Sequence, residues 1–412
     1  MPTIWIVLTI LGLAVIGYVL GVNRALSLAG GDSRRLNSRP PYHGWGVALS
    51  TALPAFLAMI VIAIIQAAIV DPASAVDVPG EVGQGARLTL TLIVLAVAVF
   101  GLITTLRRMT PDFRARALVE TYVKGLLIAC SSIAILTTLG IVLSMLFETA
   151  NFFKQYAWTE FLFGTTWSPR FGGGSQLGML PLMWGTLYVS FIALVVAVPV
   201  GLFAAIYMSE YAGPRLRSVV KPVIEVLAGI PTIVYGLFAL ITVGPMLRDY
   251  FAQPLNLGSS GSSVLTAGLV MGIMLIPFVS SLSDDIINAV PQSLRDGALG
   301  LGSTKSETVR KVVLPAALPG IVGAVLLAAS RAIGETMIVV MGAGAAAKMD
   351  LNPFEAMTTI TVKIVSQLTG DTDFRAPETL VAFALGLSLF IITLGLNILA
   401  LYVVRKYREQ YE

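Results

Sequence analysis

The chain has 412 residues, of which 56% are hydrophobic and only 12% charged, with a mean hydropathy of +0.85 and a formal net charge of +4. A soluble domain carries about twice that share of charge, so composition excludes an ordinary globular protein and points to a polytopic all-α membrane protein. The 39 glycines and 21 prolines are not disorder signals, because both residues are frequent in transmembrane helices.

In chain order, the first apolar run covers 4–22. Its leader "MPT" has no positive charge and Arg24 follows the run, an order that favours a span with its N-terminus outside over a signal peptide. Gly17 and Gly21 in "GYVLG" give this span a close-packing face. Spans at 46–70 and 88–106 follow, then the polar, Arg-rich join "RRMTPDFRARA" at 107–117, which reads as a boundary. Six further runs lie at 118–147, 180–208, 218–247, 263–283, 316–345 and 379–404, each long enough for the roughly 20 residues of a helical crossing. The lone histidine, His43, reads as a loop imidazole, and the lone cysteine, Cys130, as a packed thiol. Neither has companions for a metal site or a catalytic triad. Glu120 and Lys124 are spaced as an i,i+4 pair, and Glu225 reads as an anchor early in the sixth span. Near the end, "NPFEAMTTITVKIVSQL" (352–368) predicts a helix on the outer side with Asn352, Pro353 and Glu355 at N-cap, N1 and N3. Phe354, Met357, Ile364 and Leu368 approximate its apolar stripe.

With the N-terminus outside, the inner connections hold 18 of the 27 Lys and Arg residues and the outer ones five. That asymmetry satisfies the positive-inside rule. It makes the pI near 9.1 a matter of topology and leaves no reason to expect a nucleic-acid partner. The C-terminus is then expected in the cytoplasm.

"RDGALGLGSTKSETVRKVVLP" (295–315) lies between two apolar runs on the inner side. Val290, Leu294, Ala298 and Leu301 recur as one face of a short helix. Gly302 offers a left-handed stop, and Thr304 with Glu307 has the spacing of a capping box. Val309, Val312, Val313 and Ala316 form the next stripe. These features predict a stiff helix–turn–helix (coupling hairpin 284–315) held close to the membrane.

The same residues resemble the "EAA" loop of ABC-importer permeases, a pattern of Glu-Ala-Ala, Gly and Ile-x-Leu-Pro. Asp296, Gly297 and Ala298 occupy the first three places, Gly302 the glycine, and Val312, Leu314 and Pro315 the end. Asp for Glu, Gly for Ala and Val for Ile are departures. "PLMWGTLYVSFIALVVAVPVGLFAAIYMSEYAGPRLRSVVKPVIEVLAGIPTIVYGLFAL" (181–240) and "SRAIGETMIVV" (330–340) resemble the PstC-type permeases of bacterial phosphate ABC importers, within the binding-protein-dependent transport permease family. The resemblance implies an importer permease core with six transmembrane helices over 118–412, preceded by an extension with three transmembrane helices over 1–117. It also implies a coupling loop that sits in a cleft of a cytoplasmic ATPase. The implied partners are a second, PstA-like permease subunit, two PstB-like ATPase subunits, a periplasmic PstS-like phosphate-binding protein and membrane lipid. No G-x-x-x-x-G-K-[ST] stretch occurs in the sequence, so ATP and Mg are expected on the partner ATPase subunits. This chain itself is expected to bind no cofactor or metal and to be no enzyme.

Charges inside spans cost about 2.5–3.5 kcal/mol at the membrane centre on insertion scales and are therefore functional candidates. Arg331 falls about 15 residues, or roughly 22 Å, into the run beginning near Ala316, with Glu335 four residues on along the same face. Two readings stand: a translocation-path site in which Arg331 offers paired hydrogen bonds to an oxyanion while Glu335 holds the guanidinium, and a structural ion pair. An importer of another oxyanion such as sulfate or molybdate is the alternative within the class. A secondary transporter has no need of the hairpin, and a membrane enzyme lacks a convergent catalytic set.

Overall fold

The computed structural model describes residues 3–69, 82–170, 173–370 and 376–408, and its chain divides into two compact units, Met1–Thr138 and Leu139–Glu412. Among the described residues nine helices are long and apolar enough to cross a membrane.

In the first unit, α1 (Thr3–Leu28), α2 (Pro40–Ile69) and α3 (Val82–Arg108) pack on one another through Ile10, Ala55, Val94 and Ala98. The close-packing face expected on α1 is present: a Cβ at Gly21 would lie 2.9 Å from the His43 carbonyl oxygen, and one at Gly17 3.1 Å from Val47. His43 is not in a loop. It sits in the first turn of α2, buried, with its ring 6.0 Å from that of Phe113. The Arg-rich join ends at α4, which runs unbroken from Ala115 to Gln155 across the unit boundary. Cys130 is exposed on α4 rather than packed. Glu120 pairs with Arg116 at 2.6 Å instead of Lys124, the i−4 neighbour taking the carboxylate from the i+4 one.

The second unit has two apolar centres. One gathers α5 (Trp158–Phe163), the short antiparallel pair β1 (Trp167–Ser168) and β2 (Gln176–Leu177), and later helices around Phe152, Phe161, Leu177, Ile360 and Leu385. The larger centre is built on α6 (Leu180–Ile206), continued by a wide π turn to Tyr211, and on α10 (Val264–Ala289), packed along one another.

Between them the expected sixth span, 218–247, is two elements. α7 (Pro214–Ala228) is an amphipathic helix carrying Arg217, Lys221 and an exposed Glu225. The crossing starts only at α8 (Thr232–Phe238) and continues through α9 (Gly244–Leu247) to Ala252. Gly229 closes α7, and Pro231 pushes Ile230 out of helical backbone. Glu225 therefore lies on a separate helix, not in the span.

After α10 come α11 (Gln292–Gly300), α12 (Lys305–Thr308) and α13 (Leu314–Ile333), the last two joined by a π turn into one rod from Lys305 to Ile333. The expected run to residue 345 breaks at Gly334–Thr336, and α14 (Met337–Gly342) follows. The helix expected from Asn352 starts instead at α15 (Ile360–Gly370). Residues 353–358 are not free to close helical bonds: Leu265 N–H donates to the Pro353 carbonyl, Val264 N–H to that of Glu355, Met357 N–H to Ala343 and Thr358 N–H to Ala346. Tertiary backbone pairing takes groups that a local helix needs. α16 (Pro377–Arg408) completes the bundle beside α13 and α15.

Candidate functional site

The hairpin forms as its local chemistry requires. α11 stops at Leu301, and Gly302 adopts φ +86°, a left-handed conformation that costs a side-chain-bearing residue roughly 1–2 kcal/mol. Thr304 then caps α12: its hydroxyl accepts the Glu307 N–H while the Glu307 carboxylate accepts the Thr304 N–H, the reciprocal box expected from spacing. Along the rod Val309, Val313 and Ala317 are buried, with Val312 and Leu314 half-buried and Pro315 exposed. On α11, Asp296 and Gly297 are exposed and Ala298 is half-buried; Asp296 accepts a hydrogen bond from Gln292. The stripe expected on α11 does not pack inward throughout. Val290 is buried, but Leu294 is 42% exposed and Leu301 90%.

What holds α11 in place is Arg295. Its guanidinium donates from Nε and Nη2 to Glu210 Oε1 (3.1 and 3.0 Å), from Nη2 to the Ile287 carbonyl (2.7 Å) and from Nη1 to the Val290 carbonyl (2.5 Å). One side chain thus satisfies carbonyls at the end of α10 and ties α11 to the turn that ends α6. The two charged side chains are only 12% and 10% exposed, so the ion pair is largely withdrawn from solvent.

A second clamp lies one turn deeper. Asp284, fully buried on α10, accepts from Arg217 Nη2 at 3.0 and 2.9 Å, from Lys221 Nζ at 2.9 Å and from Asn288 Nδ2 at 2.9 Å. A buried carboxylate without such donors is strongly destabilising, and here two cations of α7 supply them. The hydrogen bond to Asp284 raises the Lys221 ammonium pKa above its ordinary value, against the opposing effect of burial. Sequence reading assigned no role to Glu210 or Asp284, and counted Arg217, Lys221 and Arg295 only as inner-side charge. The available signal was two acids at the ends of apolar runs, Glu210 followed closely by Arg215 and Arg217, and Asp284 beside Asp285.

Arg331 and Glu335 are at the opposite end of α13. Arg331 is 26 residues beyond Lys305, roughly 39 Å along the rod, in the last turn before the break rather than midway along a span. It is exposed, its guanidinium lies 5.5 Å from the Phe278 ring centre, and no ion pair among the described residues involves it. Glu335 does not hold it. Its carboxylate accepts the N–H groups of Thr336 and Met337 at 3.1 and 3.0 Å, capping the start of α14.

The chain is thus a multi-span bundle with a fastened polar hairpin at one end and, at a helix break, an arginine without an ion pair among the described residues. Residues 197–409 match the family described as binding-protein-dependent transport system inner membrane component, and residues 7–101 match one described as phosphate ATP-binding cassette transporter. The phosphate transport system permease protein PstC 1 of Mycobacterium tuberculosis is 40% identical over 57% of this chain and 74% of its own length. PstC of Haemophilus influenzae is 32% identical over 66% and 88%, and a probable ABC transporter permease protein of Bacillus subtilis is 30% identical over 72% and 94%. A solved bacterial alginate ABC transporter chain aligns with TM-score 0.49 at 16% identity, over 69% of this chain and 95% of its own. The chain belongs to the binding-protein-dependent transport permease family, among its PstC-type members. It is a non-catalytic, multi-pass subunit of the bacterial inner membrane.

Proposed function

We propose that this chain is the permease of an importer that moves inorganic phosphate from the periplasm to the cytoplasm by alternating access. The observation that carries the reading is the hairpin: an exposed Leu301 beside a left-handed Gly302, with α11 fastened through Arg295 to both α6 and α10. The phosphate-transport descriptions of its relatives and of the 7–101 match supply the cargo.

Asp296, Gly297, Ala298 and Gly302 form the face that enters a cleft of a PstB-like ATPase, and Val312, Leu314 and Pro315 lead the rod back to the bundle. ATP and Mg bind on two such ATPase subunits, a PstA-like permease completes the pathway, and a PstS-like protein delivers phosphate. When the ATPase pair closes, Arg295 passes the displacement of α11 into α6 and α10, and Asp284 passes it to α7. The break after α13 reopens toward the binding protein. There the exposed guanidinium of Arg331 offers the anion a positive site with paired donors, while Glu335 fixes the backbone of the break. Residues 1–117 form a three-helix extension to the six-helix core of 118–412, with the N-terminus in the periplasm and the C-terminus in the cytoplasm.

The test is reconstitution of the chain with these partners in vesicles. ATP-dependent uptake of phosphate, unaffected by excess sulfate or molybdate, is expected; uptake of sulfate or molybdate at the rate of phosphate would reject the cargo assignment.

A further inference from the structure

Within the first unit a cavity of about 290 Å³ opens between α2, α3 and the start of α4. Its lining is divided by chemistry. Arg108, Thr104 and Tyr122 line it with polar groups, while Pro54, Val97 and Phe100 give an apolar wall, and Phe100 is itself 71% exposed. Arg108 closes α3 and is exposed, and no ion pair among the described residues involves it. Around it the turn from α3 to α4 carries Arg107, Arg114 and Arg116 against Asp112 and Glu120, and Glu120 is already taken by Arg116. The mouth of the cavity is therefore left with unneutralised positive charge.

We propose that this cavity holds the headgroup of an anionic phospholipid, with the phosphodiester on Arg108 and the adjoining methylenes against Pro54, Val97 and Phe100. The shared chemistry is a phosphate anion, and the apolar wall separates its two sources. Free inorganic phosphate would lose hydration against that wall for no return, whereas a lipid places its glycerol and first methylenes there. Basic pockets between helices near a membrane surface are suited to such headgroups. The volume fits a headgroup and the first chain carbons, leaving the acyl chains in the bilayer beside exposed Phe100. This site is independent of the cargo and of the coupling hairpin, and it gives the three-helix extension a role of its own: seating the subunit on anionic lipid.

Native mass spectrometry of the intact chain, released from detergent after incubation with phosphatidylglycerol or phosphatidylcholine, reads the site. One phosphatidylglycerol per chain is expected, and no retained phosphatidylcholine. Arg108→Gln is expected to lower occupancy about tenfold, through loss of the charge-assisted hydrogen bond to the phosphodiester. Arg107→Gln removes the same charge one residue away, outside the cavity lining, and is expected to leave occupancy within about twofold of wild type, because net charge is lost but no contact to the headgroup. Equal losses in the two variants would reduce the effect to a diffuse surface field and overturn the site. Equal retention of phosphatidylcholine would overturn headgroup recognition, and displacement of phosphatidylglycerol by inorganic phosphate would assign the pocket to the free anion.

Discussion

The two ends of the rod from Lys305 to Ile333 are built on opposite principles. At the hairpin end charges are spent on geometry: Arg295 on Glu210 and two carbonyls, Arg217 and Lys221 on Asp284, Glu307 on Thr304. At the far end Arg331 has an aromatic ring beside it but, among the described residues, no carboxylate, and Glu335 caps backbone amides instead of pairing with it. In the proposed mechanism the end that receives force must be stiff, and hydrogen-bonded ion pairs built on buried Asp284 and on the largely buried Arg295–Glu210 pair stiffen it. A part that meets a transient anion must keep a cation uncommitted. The same residue type thus serves two ends of one helix differently, and the difference lies in the partners supplied.

The sharpest way to break the comparison is to strip the stiff end of its cations. Arg217→Gln with Lys221→Gln leaves Asp284 buried and unpaired, a loss of about 3–5 kcal/mol, and is expected to lower the unfolding temperature in nanodiscs and the yield of assembled complex. Asp284→Asn is milder, about 1–3 kcal/mol, because the two released cations are about a third exposed and can reach water. Equal effects would mean that the carboxylate is not the buried member. Next, Gly302→Pro is expected to abolish phosphate-stimulated ATPase activity while the spans remain inserted, since proline cannot adopt a positive φ; unchanged stimulation would remove the hairpin from the coupling path. At the open end, Arg331→Gln is expected to leave assembly and unfolding temperature unchanged and to reduce uptake, and undiminished uptake would reject its path role. Thr304→Ala removes one cap and is expected to cost about 1 kcal/mol, visible as faster hydrogen exchange in α12. The smallest effect is with pH. The Lys221 pKa is raised in the folded chain, so its contribution is fully present below the ordinary lysine value of about 10.4 and lost as pH rises through the higher folded one. Its share of stability is therefore flat from about pH 6 to 9.

What could be read from the sequence follows the range of the forces involved. Nine apolar runs, the Gly302 stop and the Thr304–Glu307 box are local, set by hydropathy and by groups three residues apart. The latch was not legible: Arg295 and Glu210 are separated by 85 positions and Arg217 and Asp284 by 67, and nothing nearby in sequence marks them as partners. The two span errors share a cause. Apolar residues carry hydropathy across both Gly229–Pro231 and Gly334–Thr336, so a composition window passes over backbone breaks that proline and a capping carboxylate impose. The helix misplaced at Asn352 failed differently, through backbone pairing with distant strands of chain that no local rule reports.

The central claim is that this hairpin receives the stroke of a separate nucleotide-hydrolysing subunit. A photo-crosslinking residue at Leu301, in the fully assembled importer during ATP turnover, tests it most directly. Covalent capture of the ATPase subunit, lost when the same probe is moved to exposed Phe203 on α6, is the predicted result. Capture of no ATPase subunit from Leu301 at any point in the cycle would contradict the account.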